Sequence, residues 1–516
     1  MAESNDLREL VALGCRVLGA AGQDDFVWGH VSARDAAGHG AWMKASGWTF
    51  GEIDVDRVLL VDDAGQVLEG EGRRHAEFAI HTEVLKARPD VGAVVHSHPR
   101  AALADLIVDD PQRFRVLTRA YTDADVFDAE IDRIFTRGWV YVAHESEVPA
   151  PGDYKTVSIG RQPIIVTRHE DGTIHLLYNR CRHRAAVVCR EELGHSNYFR
   201  CPYHAWVYNN DGSIVGMSQA TGWPKDFDKS SYGLVHVARV GTYRGLIFAS
   251  LTDEGQSFDE YIGPVQPYID LWADRSPTGT ITVIRPPHKY DYPGNWKWQA
   301  ENGHDGYHGN YVHESWQKIL ARAGESEVKE IRDYRLAGCT RGLANGHGLL
   351  ERPAGLNPAA SWTGRLMESY PEYAEALRSR FSEEYITDVA ARRNILVFPN
   401  LFLFDTHLRV ITPVSVAKTE VNLWVYGFDG VPDGLNEDRY RAHERFYGPS
   451  GFGSPDDVEI FIANQTGVQA TAVDHVLLSR GQHRETVNER GETIGHSTDE
   501  TPIRAFYREW RRRMAA

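Results

Sequence analysis

The sequence predicts an α+β fold in three consecutive regions, on three observations. Residues 1 to about 110 alternate helical patterns with short β-rich runs. Residues 153 to about 265 hold short strands parted by Asp-Gly turns, and residues from about 275 to 516 form a long mixed stretch.

In the first region LRELVALGCRVLGA and AEFAIHTEVLKA space their apolar residues as amphipathic helices do, while VLLVDD and VGAVVHSH read as strands. In the second, TVSIG, PIIVTR, IHLLYN and LIFAS are strand-like, and Asp171-Gly172 and Asp211-Gly212 mark tight turns, as in a small antiparallel β domain. In the third, residues 370 to 391 are helical, ILVFPNLFLF and RVITPVSV are strand-like, and the polar C-terminus is helical. No internal repeat or low-complexity tract interrupts the chain.

With 72 acidic against 56 basic residues the formal charge is -16, which argues against a nucleic-acid-binding surface. The N-terminus sets acidic residues before its apolar run, unlike a signal peptide. No stretch approaches the roughly 18 apolar residues of a membrane span. Cys15, Cys181, Cys189, Cys201 and Cys339 are an odd set with three clustered, which fits a reducing cytoplasm in which thiols are free to bind metal.

The cluster lies in CRHRAAVVCREELGHSNYFRCPYHAW, where Cys181-x-His183 is followed by Cys201-x-x-His204. A zinc finger groups its two thiols and its two histidines, whereas each pair here is mixed. A mixed pair can send sulfur to one iron and nitrogen to the other, which suits a [2Fe-2S] cluster held by two thiolates and two imidazoles. Ala185 and Ala205 follow the two loops' histidines, with less backbone freedom than glycine. Cys189, outside both pairs, reads as a small buried hydrophobe.

A second constellation is ENGHDGYHGNYVHESW, residues 301 to 316. His308 and His313 are five apart, about 140° around a regular helix, so the segment should bend or end between them. His304 and His308, four apart, would make the tidier helical pair, and spacing alone leaves that choice open. Asp305 precedes His308 by three residues. Further on, Pro455-Asp456-Asp457 fits a helix N-cap.

The first pattern resembles the Rieske iron-sulfur motif. Together with Asp305-x-x-His308 and His313 it resembles the Rieske non-haem iron aromatic ring-hydroxylating oxygenases, large (alpha) subunit, from about residue 117 to the C-terminus. The resemblance implies Cys181, His183, Cys201 and His204 on a [2Fe-2S] cluster, and His308, His313 and Asp457 on a mononuclear Fe(II), with Asp456 the adjacent alternative. It implies Asp305 as a catalytic bridge from His308 to a Rieske histidine, His204, of a neighbouring subunit. Asn302, three residues before Asp305, is similar to the benzoate, toluate and anthranilate branch and implies an aromatic carboxylate substrate, hydroxylated with O2 by a dioxygenase or a monooxygenase. Electrons would come from NADH through a flavin/[2Fe-2S] reductase, with or without a ferredoxin, to a homotrimer or an α3β3 assembly with a small β subunit.

GHVSARD, ASGWTFGEI, EGEGRRHAEFAIH and VVHSHPRAALA resemble the class II aldolase/adducin fold. That resemblance implies a vestigial metal site of Glu77, His96 and His98, in a segment that ends before its third histidine. His30 stands where an Asn is common. The regions expected are thus a truncated aldolase-like segment (1-112), an N-terminal helical part of the oxygenase (113-152), a Rieske-type antiparallel β domain (153-265) and a mixed α/β, helix-grip-like iron domain (266-516). The alternative function is a class II aldolase-like lyase, or a bifunctional protein; only the oxygenase requires a [2Fe-2S] chromophore.

Overall fold

The computed structural model describes residues 2-20, 23, 29-97, 103-324, 333, 336-353 and 361-515. Its contacts divide the chain into two compact units, Met1–Leu106 with Met514–Ala516, and Ile107–Arg513.

The first unit is built on a five-stranded antiparallel sheet, in the order Val67–Glu69, Val58–Val61, Ala41–Lys44, His30–Arg34, Ala93–His96. Alternation decides what each face buries. Val31, Ala33, Trp42, Val58 and Leu60 pack with Val11, Ala12 and Cys15 of the helix Ala2–Ala20. Ala41, Met43, Leu59 and Val61 pack with Leu85 of the helix Phe78–Ala87. The run VLLV is therefore apolar at every position because the sheet is covered on both faces. The segment's own two helices supply that cover.

In the second unit the strands Ile174–Tyr178, Gln162–Arg168, Asp153–Ile159 and Leu193–His195 form a four-stranded sheet in that order, and Tyr198–Arg200, Val207–Asn209 and Ile214–Gly216 form a three-stranded one. The Cys/His loops grow from these strands, and the same hydrogen bonds close both. Cys181 N donates to Ala186 O (2.8 Å) and Ala185 N to Cys181 O (3.1 Å); Cys201 N donates to Trp206 O (2.7 Å) and Ala205 N to Cys201 O (3.0 Å). Ala185 and Ala205 take left-handed conformations, φ 63° and 56°. For an L-residue that costs about 1–2 kcal/mol each, which the loop hydrogen bonds hold in place.

The rest of the second unit is organised on a ten-stranded antiparallel sheet that includes Arg392–Val397, Leu401–Leu403, His407–Ser415 and Lys418–Phe428. The helical stretch 370 to 391 breaks into Pro371–Arg380 and Glu383–Ala390, because the Ser382 side chain accepts from Tyr385 N and caps a new helix.

One buried helix, Trp296–Asn302, leads into the second histidine constellation. Asn295 caps it by accepting from Lys297 N, and residues Trp296 to Ala300 are buried. A fully buried ion pair fixes it from below: Lys297 Nζ lies 2.5 Å from Glu130 Oε1. Glu130 also accepts from Trp296 Nε1 (2.8 Å) and from Trp510 Nε1 (2.7 Å) of the C-terminal helix Thr501–Ala515. Replacing Glu130 by Gln strands the Lys297 charge in this core. The expected cost is about 3–5 kcal/mol, read as an earlier denaturant midpoint for loss of the visible iron-sulfur absorption; an unchanged midpoint would show that the pair is dispensable.

Candidate metal centres

The two Cys/His loops face each other. His183 Nδ1 and His204 Nδ1 lie 3.1 Å apart, and the His183 ring stacks on Trp206 at 5.0 Å. Both thiols are buried, in a core with Tyr154, Phe199, Trp206 and Tyr208. Cys181 Sγ is 3.2 Å from the Tyr208 hydroxyl, which also accepts from Arg182 N. The loops thus offer two inward imidazole nitrogens and two buried sulfurs, a donor set suited to one cluster of two irons. Cys189 is buried in the same core, its thiol near Glu191 O.

Between His308 and His313 the chain makes a short 3-10 turn, His308–Asn310, and then starts the helix Glu314–Arg322 with His313 at its N-cap. The bend lets both rings face one point. His308 Nε2 is 3.6 Å and His313 Nε2 3.3 Å from Asp457 Oδ1. Asp457 stands in the first turn of the helix Ser454–Gly467, whose N-cap is Gly453, so the aspartate pair lies just inside the helix rather than at its cap. Asp456 instead approaches the far nitrogen of His313, Nδ1, at 3.6 Å. His304, the alternative partner for His308, is fully buried against Phe402 with Nδ1 3.1 Å from Glu301 O, away from the cluster.

Asp305 sets the ring of His308. Its Oδ2 is 3.0 Å from His308 Nδ1, and its carboxylate accepts from Tyr307 N (2.6 Å) and His308 N (3.3 Å). Burial opposes ionisation, but these hydrogen bonds and the His308 charge outweigh it and hold the carboxyl below its usual range. Asp457 is likewise held low: burial raises it, and His313, His308 and Arg409 more than compensate. The Asn302 amide lies 3.2 Å from Asp457 Oδ1 and 3.3 Å from His308 Nε2. Gly306 lets this loop pass close to the Ser497 carbonyl, where a Cβ would collide.

The same cleft is lined by Leu350, Phe404, Phe446, Tyr447 and Arg409. Arg409, in the strand His407–Ser415, is 2% exposed. Its guanidinium stacks over Phe404 (4.5 Å) and Tyr447 (5.4 Å), its Nε is buried without a hydrogen-bond partner, and no carboxylate among the described residues pairs with it. Arg275 pairs with Asp405 at 2.8 Å and Arg504 with Glu485 at 2.5 Å, whereas Arg439, also buried and stacked on Phe428, has among the described residues only the carbonyls of Asp405 and Tyr426; Arg409 differs from it in lining the cleft. Sequence reading passed Arg409 over. The available signal was a charge at the centre of a buried strand, HLRVI.

Of the N-terminal residues, Glu77 and His96 come together, with Glu77 Oε2 3.7 Å from His96 Nε2. His98 lies outside the described residues. His30 and His75, which the resemblance does not use, also reach Glu77 Oε2, at 3.9 and 3.7 Å. Burial first, then the neighbouring His75, His81, Lys44 and His96, lower the pKa of His30 to about 2.

Three family models match successive parts of the chain. The Rieske [2Fe-2S] domain model matches residues 138–228, the ring hydroxylating alpha subunit (catalytic domain) model residues 283–516, and the Class II Aldolase and Adducin N-terminal domain model residues 9–125. The chain is 35% identical over 393 residues to the anthranilate 1,2-dioxygenase large subunit of Acinetobacter baylyi, covering 72% of this chain and 81% of that protein. It is 34% identical to the 2-halobenzoate 1,2-dioxygenase large subunit of Burkholderia cepacia, over 76% of this chain and 86% of the relative. Among solved structures, naphthalene 1,2-dioxygenase with indole bound in the active site matches with a TM-score of 0.70 at 25% identity, over 80% of this chain and 94% of that one.

Proposed function

The chain belongs to the family of Rieske non-haem iron ring-hydroxylating oxygenase large subunits, and from that membership we propose that it hydroxylates the ring of an aromatic carboxylate. The observation that carries the reading is one cleft in which His308, His313 and Asp457 converge beside Arg409, a buried cation that no carboxylate among the described residues pairs with. The relatives' names, which speak of anthranilate and 2-halobenzoate, point to the same substrate class.

Cys181, His183, Cys201 and His204 would hold the [2Fe-2S] cluster, and His308, His313 and Asp457 the mononuclear iron. When bound, these groups supply electrons and O2 activation. The chain's own side chains do the rest. Asp305 accepts the Nδ1–H of His308 and so fixes the tautomer that turns Nε2 toward Asp457. The Asn302 amide steadies the Asp457 carboxylate from the side. Phe404 and Tyr447 flank the Arg409 guanidinium with aromatic faces, and that weakly screening wall strengthens its attraction for a carboxylate. A substrate held by that carboxylate presents its ring at a set depth beside the two imidazoles.

We extend the proposal to the assembly. Tyr203, next to His204, is 53% exposed, and the Asp305 side chain keeps 21% of its surface. A head-to-tail ring of three chains would bring His204 of the partner subunit to Asp305. A reductase drawing on NADH, with or without a ferredoxin, would deliver electrons to the cluster, and a small β subunit would complete the complex.

Asp457→Asn should lower iron from about three atoms per chain to about two by elemental analysis, with the Rieske spectrum unchanged; three atoms retained would remove Asp457 from the ligand set. Asp305→Asn should keep all three irons yet leave a reduced cluster slow to reoxidise when substrate and O2 are added, and wild-type reoxidation would end the bridging role. Arg409→Gln should lower kcat/KM for benzoate-type acids roughly 100-fold, about 3 kcal/mol of charged hydrogen bonding. It should spare uncharged aromatics such as benzene or toluene. An equal loss on both classes would mean that Arg409 does not read the carboxylate.

A further inference from the structure

We propose that the substrate carries two acidic groups on opposite sides of its ring, and that Arg352 and Arg392 hold the second of them. The inference rests on the reading of Arg409 as the partner of the first carboxylate. Benzene-1,4-dicarboxylate is the simplest molecule of this class.

The register of the ten-stranded sheet places the three arginines. Arg409 stands opposite Phe402, and Phe402 stands opposite Leu396. Arg392 precedes Leu396 by four residues on the strand Arg392–Val397, and its direct cross-strand partner is Arg352 of the strand Gly348–Arg352. Residues two and four apart on a strand share a face. All three arginines, with Leu350, Asn394 and Phe404 between them, accordingly line the cleft that holds His308, His313 and Asp457. Four residues along and two strands across put the Arg409 and Arg392 Cα atoms roughly 16 Å apart, so that two long side chains reaching inward leave room for one ring. The floor of the cleft is basic at both ends. Asn394 Nδ2 donates to Gly303 O at 2.9 Å, which ties the middle of that floor to the end of the helix that aims the imidazoles.

Charge points the same way. Like charges directly opposite each other on neighbouring strands repel, and Arg352 is buried beside its partner. Arg392 Nε has Asp405 Oδ2 at 3.6 Å, a carboxylate that Arg275 holds more closely, at 2.8 Å. The acids that line the cleft, Asp305 and Asp457, are engaged by His308 and His313. An anion laid between two guanidiniums on facing strands turns their repulsion into a pair of charge-assisted contacts, and the planar fork of arginine matches a planar carboxylate. A monoacid reaches one end of this floor; a diacid reaches both. Held at two points, its ring cannot pivot about either acid group, and the edge it offers to the imidazoles is fixed. The pair Arg352 and Arg392 would thus determine which ring carbons face the metal position.

The test is anaerobic isothermal titration of the full-length, iron-loaded protein with benzoate, benzene-1,2-dicarboxylate and benzene-1,4-dicarboxylate. The 1,4-diacid should bind at least tenfold more tightly than benzoate or the 1,2-diacid. Arg352→Gln with Arg392→Gln should weaken binding of the 1,4-diacid at least tenfold more than binding of benzoate, with iron content and the Rieske spectrum reporting that the fold is kept. Arg392→Gln alone, at the more exposed of the two positions, keeps the test open should the double variant lose its iron, and Arg392→Lys should recover part of the preference. Benzoate bound as tightly as the 1,4-diacid, or variants that weaken both acids equally, would overturn the second acid site and leave the reading of Arg409 standing. Binding of neither acid would overturn both.

Discussion

The buried pair of Glu130 and Lys297 is the constraint on which the catalytic cleft depends. Two charges taken out of water are costly, and such a pair survives only if its remaining hydrogen-bonding capacity is met. Trp296 and Trp510 meet it from two helices, and the result locks Trp296–Asn302 in place. The next polar layer repeats the device: Glu301 accepts from the hydroxyls of Tyr121 and Tyr507, and burial raises its pKa to about 7. Everything that follows in the chain, Asn302, Asp305, His308 and His313, is aimed from the end of this helix.

Charge is distributed in the cleft by the same logic. Asp457 and Asp305 are each engaged by imidazoles, and each remains ionised in spite of burial. Arg409 differs, with aromatic faces for its nearest neighbours and no carboxylate in ion-pair contact among the described residues. An Arg on an aromatic face keeps its donors pointing outward in a fixed fork, which is the geometry a planar carboxylate recognises. A substrate acid placed in this cleft would meet that fork directly.

How far this was legible in the sequence follows from the range of the contacts involved. Cys181, His183, Cys201 and His204 could be read because each loop brings its own two donors together within a few residues, and the strands around them follow from alternation and Asp-Gly turns. His308 over His304 could not be decided by helical spacing, since the segment leaves the helix at Gly303 and re-enters one at His313. Asp457 lies on a helix about 150 residues further on, so only resemblance pointed to it. Arg409 and the grouping of His30 with His75 depend on which strands pair, and no local pattern carries that. Ala185 and Ala205 adopt glycine-like angles because closure of the loop, rather than local propensity, sets their backbone.

The N-terminal unit covers its own apolar faces. A sheet missing part of its fold is expected to leave one apolar face bare, to be covered by whatever lies nearby. Here Trp42 and Leu60 meet one helix while Met43 and Leu59 meet the other, so each face has a cover within the unit. What stays open is the edge: Val95 on the last strand is 55% exposed, and Leu68 on the first is 51% exposed. Edges are tolerated when they are short and twisted, and both strands are of three or four residues. His30, which departs from the aldolase resemblance, pairs across the sheet with His96 of that last edge strand, so both stand where the short edge meets the rest of the sheet.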